Sequence, residues 1–421
     1  MSDYTNIDWF TDEEIHQDPY PYYEWLRAQG SAVYLPQHNV VAVVGYDEAI
    51  KVFRGEEYYS AVNAVTGPFP PLPFTPEGED ITAQIEAHRG KISKGALLMT
   101  MDPPSHAAHR ALLTGIITPR RLKENEEFIH RLVSKQVEAM LKLGSFEAVT
   151  EFGHALAVLV VADLLGVPEG EHDRFLELLP HTPPTLVGGK VDTAYNPLAA
   201  LAGALAEFIV DRRKNPRKDV LTNLALARFP DGTTPEVADL TNIGAFLFAA
   251  GQDTTIRLIG SSLRILGDDQ DLQQLLRDDR KLLGPFIEEV LRFESPSKVD
   301  FRLSKVRTRI GEVDVAPGTV VMIMIGAANR DPARFANPDT FNIDRTNRGD
   351  HLAFGRGTHS CLGAPLARAE TLIALNHLFD RTSTISINEA MHGPPNARRY
   401  VFPPRYTMRG PRELHVEVTP A

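Results

Sequence analysis

Cys361 is the only cysteine in 421 residues, which removes disulfides and cysteine-cluster metal sites from consideration. It lies in FGRGTHSCLGAPLARAE, residues 354–370, with His359 two positions before the sulfur. Gly355, Gly357 and Gly363 permit tight turns or a close approach to something flat and bulky. The Ala/Leu/Arg/Glu pattern that follows makes Cys361 the end of a glycine-rich loop at a helix start, with Pro365 inside the first turn. Unpaired backbone N–H groups and the positive dipole end favour an anion there. That setting is expected to lower the thiol pKa toward the thiolate, the form that binds metal. A lone cysteine is more often a buried, unreactive small hydrophobe; the surrounding glycines and histidine set this one apart.

Three further groupings can carry chemistry. The first is AAGQDTT, residues 249–255, where Asp253 and Thr254 put an acid beside an alcohol. Gly251 costs an isolated helix about 1 kcal/mol relative to Ala, and Thr254 competes for the carbonyl of Ala250. Both weaken the helix at one place, where a distortion would open a groove for water. The plainer reading makes Gly251 a close-packing contact and Thr254 a back-bonded threonine. The second is Glu289 with Arg292, ordinarily a surface pair worth a few tenths of a kcal/mol. The third is His106 with Arg110, one turn apart after Asp102-Pro-Pro-Ser, which alone reads as two solvated residues on a surface helix; His109 is left as a surface residue.

The elements around these groups read mostly as helices. Asp18-Pro19 opens a helix through Leu26, and Ala32–Tyr34 with Val40–Val44 reads as a hairpin around Gln37-His38-Asn39. A short helix spans Asp47–Phe53, and the proline-rich stretch from about 60 to 95 reads as a long loop. Apolar spacing marks long helices over Arg121–Leu143 and Phe146–Gly166, then Glu171–Leu179 and Pro197–Lys214 with a loop at 180–196 between them. Thr234-Pro235-Glu236 signals the start of the helix bearing Asp253 and Thr254, with Thr234 as cap. Strands are expected at Arg309–Val313 and Thr319–Ile323 around the turn Ala316-Pro-Gly318, and the tail from Thr382 to Val418 should pair as small sheets.

Composition narrows the class. A 43% apolar chain can bury a large core, and a net charge of -11 argues against nucleic acid as a partner. The N-terminus, MSDYTNIDWFTDEEIH, reads as neither signal peptide nor membrane anchor, and the longest apolar run, interrupted by Asp163, is too short to span a bilayer. With one thiol and no targeting segment, the cytoplasm is the expected compartment. Gly355-x-Gly357 is a poor dinucleotide loop because Ser360 stands where its third glycine belongs. No H-E-x-x-H, P-loop, G-x-S-x-G or paired-cysteine zinc spacing is present.

The string F-G-x-G-x-H-x-C-x-G-x-x-L-A-R resembles the haem-binding signature of the cytochrome P450 family, with every motif position met, and the resemblance extends from about Asp18 to Val418. It implies a mainly α fold with a minor β-region, one domain over 1–421 after an N-terminal extension of about 17 residues, and substrate-access loops at 60–95 and 180–196. Cys361 would be the thiolate axial ligand of haem b, non-covalent because C-x-x-C-H is absent. Phe354, Gly355 and Gly363 would surround the sulfur, and His106, Arg110, Arg302 and His359 would bind the propionates. Ala250 and Gly251 would leave room for haem and oxygen, and Asp253 and Thr254 would relay protons. Glu289, Arg292 and Arg345 would form a buried network with no chemical step.

The implied activity is that of a monooxygenase: dioxygen as co-substrate and one oxygen atom inserted into a small apolar organic molecule. Phe246, Leu247, Val299, Met408 and the loop from Thr66 to Phe74 would line the pocket. Electrons would come from NAD(P)H through a separate ferredoxin and ferredoxin reductase, docking near Arg120, Arg121 and Lys123, and the protein would be a monomer without a membrane anchor. A peroxide-driven peroxygenase of the same fold is an alternative that the acid–alcohol pair speaks against. A haem-based binding or sensor protein is another.

Overall fold

The computed structural model describes residues 3–92, 97–179 and 197–421. Its helices are α1 (Glu13–Gln17), α2 (Tyr20–Arg27), α3 (Tyr46–Arg54), α4 (Thr82–Ile92), α5 (Ser105–Thr114), α6 (Pro119–Leu143), α7 (Ala155–Leu165), α8 (His172–Leu178), α9 (Pro197–Lys214) and α10 (Val220–Ala225). They continue with α11 (Val237–Asp268), α12 (Gln270–Asp278), α13 (Leu283–Phe293), α14 (Ile325–Ala328), α15 (Ala364–Arg381) and α16 (Glu389–His392).

A five-stranded sheet runs in the order β1 (Ala32–Leu35), β2 (Val40–Val43), β8 (Val320–Ile323), β5 (Asp300–Ser304), β3 (Tyr59–Ser60). β1 and β2 form the expected antiparallel hairpin, while β2 lies parallel to β8 with Val40 opposite Val320. Both faces of β2 are covered, which is why its sequence is an unbroken apolar run. Trp9, Phe10, Tyr22, Val40, Ala42 and Met322 fill one side; Val41, Val43, Ile323 and Phe53 of α3 fill the other. β4 (Ser145–Glu147), β10 (His415–Pro420) and β9 (Thr382–Ile387) make a second sheet, and β6 (Thr308–Ile310) pairs with β7 (Val313–Val315). The main core is helical, built from residues such as Val133 of α6, Val160 of α7, Phe248 of α11 and Leu375 of α15.

Several expectations are revised. The stretch from 60 to 95 is not all loop: Asp80 accepts from Thr82 N at 2.8 Å and starts α4, which buries Ile85 and Ile92. Positions 93–95, and the whole loop at 180–196, lie outside the described residues. Phe146–Gly166 is β4, then a π-helical turn from Ala148 to His154, then α7. Ala148–Leu165 is therefore 18 residues of continuous apolar helix, long enough by length and composition to cross a membrane, but 67% buried inside the protein.

The Asp253 helix begins two residues after Pro235, because Glu236 and Asp239 form a reciprocal capping box that outcompetes Thr234. Gly311, at φ +55°, breaks the expected strand at Arg309–Val313 into the β6–β7 hairpin. Within the N-terminal extension, Trp9 and Phe10 are packed into the core, 1% and 2% exposed.

Candidate active site

The glycine-rich loop is tied to itself before α15 begins. Cys361 N donates to Phe354 O at 2.9 Å and Gly355 N to Leu352 O at 2.9 Å. Gly355 and Gly357 have φ of +63° and +73°, a region glycine occupies without strain. At Gly357 the close neighbour is α3, since a Cβ would stand 2.5 Å from Phe53 O. Gly363 caps α15 and Pro365 is in its first turn, as expected.

Cys361 is an exposed residue, yet its thiol is surrounded by protein. The expectation of a lowered pKa is overturned, because this burial pushes the thiol up. Groups that oppose it are present: the expected helix-end amides, of Gly363 and Ala364, bond to the sulfur, and Arg110 and Arg368, not foreseen in that role, act on it through charge. In this polypeptide alone desolvation outweighs those donors.

Beside the loop lies a corner rich in cationic groups. Arg110 Nη2 donates to Ser360 O at 2.8 Å, and the His106 and His359 rings stack with centroids 3.9 Å apart. Arg302, 4% exposed, donates to Asp300 at 3.0 Å and to Phe301 O at 2.6 Å, and lies over the Phe53 ring. Burial, then Arg302, His106 and Arg110, drives the His359 pKa down to about 2; burial followed by Arg110 lowers that of His106. Two guanidiniums and two imidazoles held off protonation form a corner suited to carboxylates. Together with a sulfur facing amide donors, the set fits a metal-bearing group that carries carboxylates.

α11 supplies the acid and the alcohol. Thr254 Oγ1 donates to Ala250 O at 2.7 Å, and a Cβ on Gly251 would sit 3.1 Å from Val161 of α7. The plain reading of both residues is therefore met, and α11 runs unbroken through them, without the expected distortion. Asp253 Oδ1 pairs with Arg257 Nη2 at 3.0 Å and Oδ2 with Arg405 Nη1 at 3.0 Å. α11 packs against α15, which sets this turn on a helix adjoining the one that follows Cys361.

Glu289 and Arg292 are fully buried. Their two contacts are 2.8 and 2.7 Å, and Arg345 Nε reaches Glu289 at 3.4 Å. Arg292 also donates to the carbonyls of Asn329, Pro338 and Thr340, so the network stitches α13 to the segment before the loop.

The four pocket candidates come from three stretches of the chain. Phe246 and Leu247 are half-buried on α11. Val299 packs with Phe10, Phe301 and Tyr406, and Met408 bridges Ser297 through backbone. Arg121 is not a free docking charge: it is tied to Asp163 and Leu164 O of α7, whereas Arg120 and Lys123 are exposed. His109 is half-buried, its ring against Phe229.

Sequence reasoning missed Arg257 and Arg405 as partners of Asp253; the i, i+4 spacing was a signal that could have found the first, and nothing local marks the second. Arg368, within the motif, bonds Glu288 at 2.5 and 2.9 Å and lies over Phe354.

A sulfur facing amide donors beside two guanidiniums, in a mainly helical fold, is the setting of a haem-thiolate oxidoreductase. The comparisons agree. The family model "Cytochrome P450" matches residues 196–404. Cytochrome P450 144 of Mycobacterium tuberculosis is 32% identical over 385 residues, 89% of this chain and 85% of that protein. Among solved structures, the substrate-free form of Mycobacterium marinum cytochrome P450 CYP150A6 superposes with a TM-score of 0.94 at 48% identity, covering all of both chains. CYP109E1 of Bacillus megaterium, in complex with corticosterone, gives 0.79 at 26%, covering 96% of this chain and 99% of that one. The chain belongs to the cytochrome P450 family, whose members carry haem with a thiolate ligand and use dioxygen, and it is a monooxygenase.

Proposed function

We propose that the Cys361 thiolate would hold the iron of haem b and that the enzyme hydroxylates, or otherwise oxidises, a small apolar organic substrate with electrons from a separate ferredoxin and its NAD(P)H-dependent reductase. The observation that carries this is the sulfur bonded by the Gly363 and Ala364 amides with Arg110 at hand, since those groups offset the negative charge of a thiolate. When bound, the haem supplies reductive activation of dioxygen and transfer of one oxygen atom. Arg110, Arg302, His106 and His359 would hold its two propionates, with Phe354 and Gly355 in the loop beside the sulfur and Gly363, whose Cβ would stand in van der Waals contact with it at 3.7 Å, capping the helix behind it.

Asp253 takes up protons and passes them to Thr254 Oγ1. That hydroxyl, donating to Ala250 O at 2.7 Å, keeps its lone pairs for accepting a proton and returns one by rotating about χ1. Ala250, exposed one turn earlier, and Gly251 keep the same stretch clear of side chains. Phe246, Leu247, Val299 and Met408 set an apolar preference, and a steroid-bound relative of the same fold supports a compact hydrocarbon skeleton. The chain acts as one domain and a monomer in the cytoplasm, with the exposed Arg120 and Lys123 at the ferredoxin face.

The test is spectroscopic and then catalytic. The reduced, carbon monoxide-treated protein should show a far-red-shifted Soret band that is lost in Cys361→Ala, and product should form with NAD(P)H and surrogate partners rather than with peroxide alone. An imidazole-type spectrum that survives the substitution overturns the assignment, and turnover with peroxide only would make it a peroxygenase.

A further inference from the structure

The two cations that hold Asp253 have one thing in common. Arg405 belongs to the C-terminal segment 402–410, and Arg257 lies beneath it: a Cβ on Gly410 would stand 2.7 and 2.8 Å from Arg257 Cγ and Cβ, and Arg257 Nη1 leans toward Gly410 O at 3.4 Å. Arg405 and Arg257 are 7% and 5% exposed, so each is committed to this contact, and Arg257 Nε has no partner at all.

The same segment is fastened at its two ends and its middle. At one end the Gln17 side-chain amide pairs with both N and O of Phe402. At the other, Arg409 donates to Gln17 O and Glu294. Between them Lys298 N donates to Thr407 O at 2.8 Å, and Met408 bridges Ser297, beside the pocket candidate Val299. A displacement of the segment would act on both sides of the Asp253 carboxylate, and nothing else among the described residues is bonded to it.

We propose that segment 402–410 is a strap that couples the pocket wall to the acid, with Arg405 as its positioning residue: the strap fixes where the Asp253 carboxylate points, and substrate contact at Met408 is transmitted to it. This rests on the reading of Asp253 and Thr254 as the proton relay. Arg405 touches no reacting atom and acts through Asp253.

The experiment compares Arg405→Gln, Arg405→Lys, Asp253→Asn and the Asp253→Asn/Arg405→Gln double variant as ferric holoenzymes. Substrate affinity is read from the optical spin-state titration, coupling from product formed per NAD(P)H, and strap mobility from amide hydrogen exchange over 402–410. Arg405→Gln should leave the dissociation constant within about twofold of the parent and lower coupling roughly tenfold, the rate equivalent of one lost ion pair. The lysine variant, which keeps the charge but loses the planar fork, should recover part of it. Exchange over 402–410 should rise equally in Arg405→Gln and Asp253→Asn and no further in the double variant.

If Asp253→Asn loses coupling while Arg405→Gln keeps parental coupling and exchange, the relay stands and the strap falls. If Asp253→Asn keeps full coupling, the relay reading falls; the exchange data then decide the strap alone, and unchanged protection in both variants overturns it.

Discussion

Gly357 lies against the carbonyl of Phe53: a Cβ on it would stand 2.5 Å from that oxygen, at a φ of +73°. The loop that carries Cys361 is thus seated directly on the backbone end of α3, and two independent requirements make residue 357 glycine.

Gly357→Ala should therefore destabilise the fold by about 1–3 kcal/mol through the left-handed backbone alone, with the overlap at Phe53 O added. Urea titration should register the loss, and the fraction of protein giving the thiolate-type carbon monoxide spectrum should fall with it. Parental stability and spectrum would contradict the seating.

Glu289→Ala leaves Arg292 and Arg345 buried without their carboxylate. The expected cost is about 3–5 kcal/mol, because breaking a buried pair strands a charge. Thermal unfolding measures it, and haem retention should fall in parallel, since Arg292 ties α13 to the Asn329 and Pro338 carbonyls ahead of the loop.

Glu370 in α15 is fully buried, its Oε2 has no partner, and burial alone holds its pKa well above the usual carboxylate range. The folded state therefore binds a proton that the unfolded state releases near pH 4.3. Its stabilising contribution is complete below that pH and is lost as pH rises, at about 1.4 kcal/mol per unit while the folded group stays protonated. Glu370→Gln should match the parent in Tm near pH 4 and exceed it at pH 7; equal Tm values at both would refute this.

Lys298 behaves in the opposite sense. It is 1% exposed, its Nζ lies 3.2 Å from His16 Nδ1, and burial, then Arg409 and Arg257, depress its pKa well below normal. The folded state here binds fewer protons than the unfolded, so stability is full only above the ordinary lysine pKa and declines as pH falls. Lys298→Met should stabilise the protein at pH 7 by about 1–4 kcal/mol, with the advantage shrinking toward pH 10. Chemical denaturation at the two pH values checks the sign.

Thr254→Ala removes the hydroxyl that donates to Ala250 O. NAD(P)H oxidation should continue while product per electron pair falls by roughly 100-fold, the lower range of what a positioned proton donor contributes. Full coupling in this variant would end the role assigned to Thr254.

The groups proposed to carry the chemistry were legible wherever they are close sequence neighbours. Cys361 with its glycines, Asp253 beside Thr254, and Glu289 three residues from Arg292 are local patterns, and the last is buried as the family resemblance implied. The β1–β2 hairpin and α9 likewise follow from turn chemistry and apolar period. Helix α4 was hidden by the prolines before it, although Asp80 and Thr82 mark its start. The cap of α11 shifted because Glu236 and Asp239 bond each other's backbone, a reciprocal arrangement that outweighs the Thr-Pro signal.

The sequence by itself determined which atoms can react, because residue type and short spacing decide what a sulfur, an alcohol or a carboxylate is able to do. Only the tertiary structure decided the environment in which they do it. Arg405 reaches Asp253 across 152 positions, Arg121 is spent on Asp163 rather than left at the surface, and the Cys361 thiol is raised by burial where helix-end donors alone would lower it. Desolvation and long-range pairing depend on what the rest of the chain brings to a site, and no local stretch of residues encodes that.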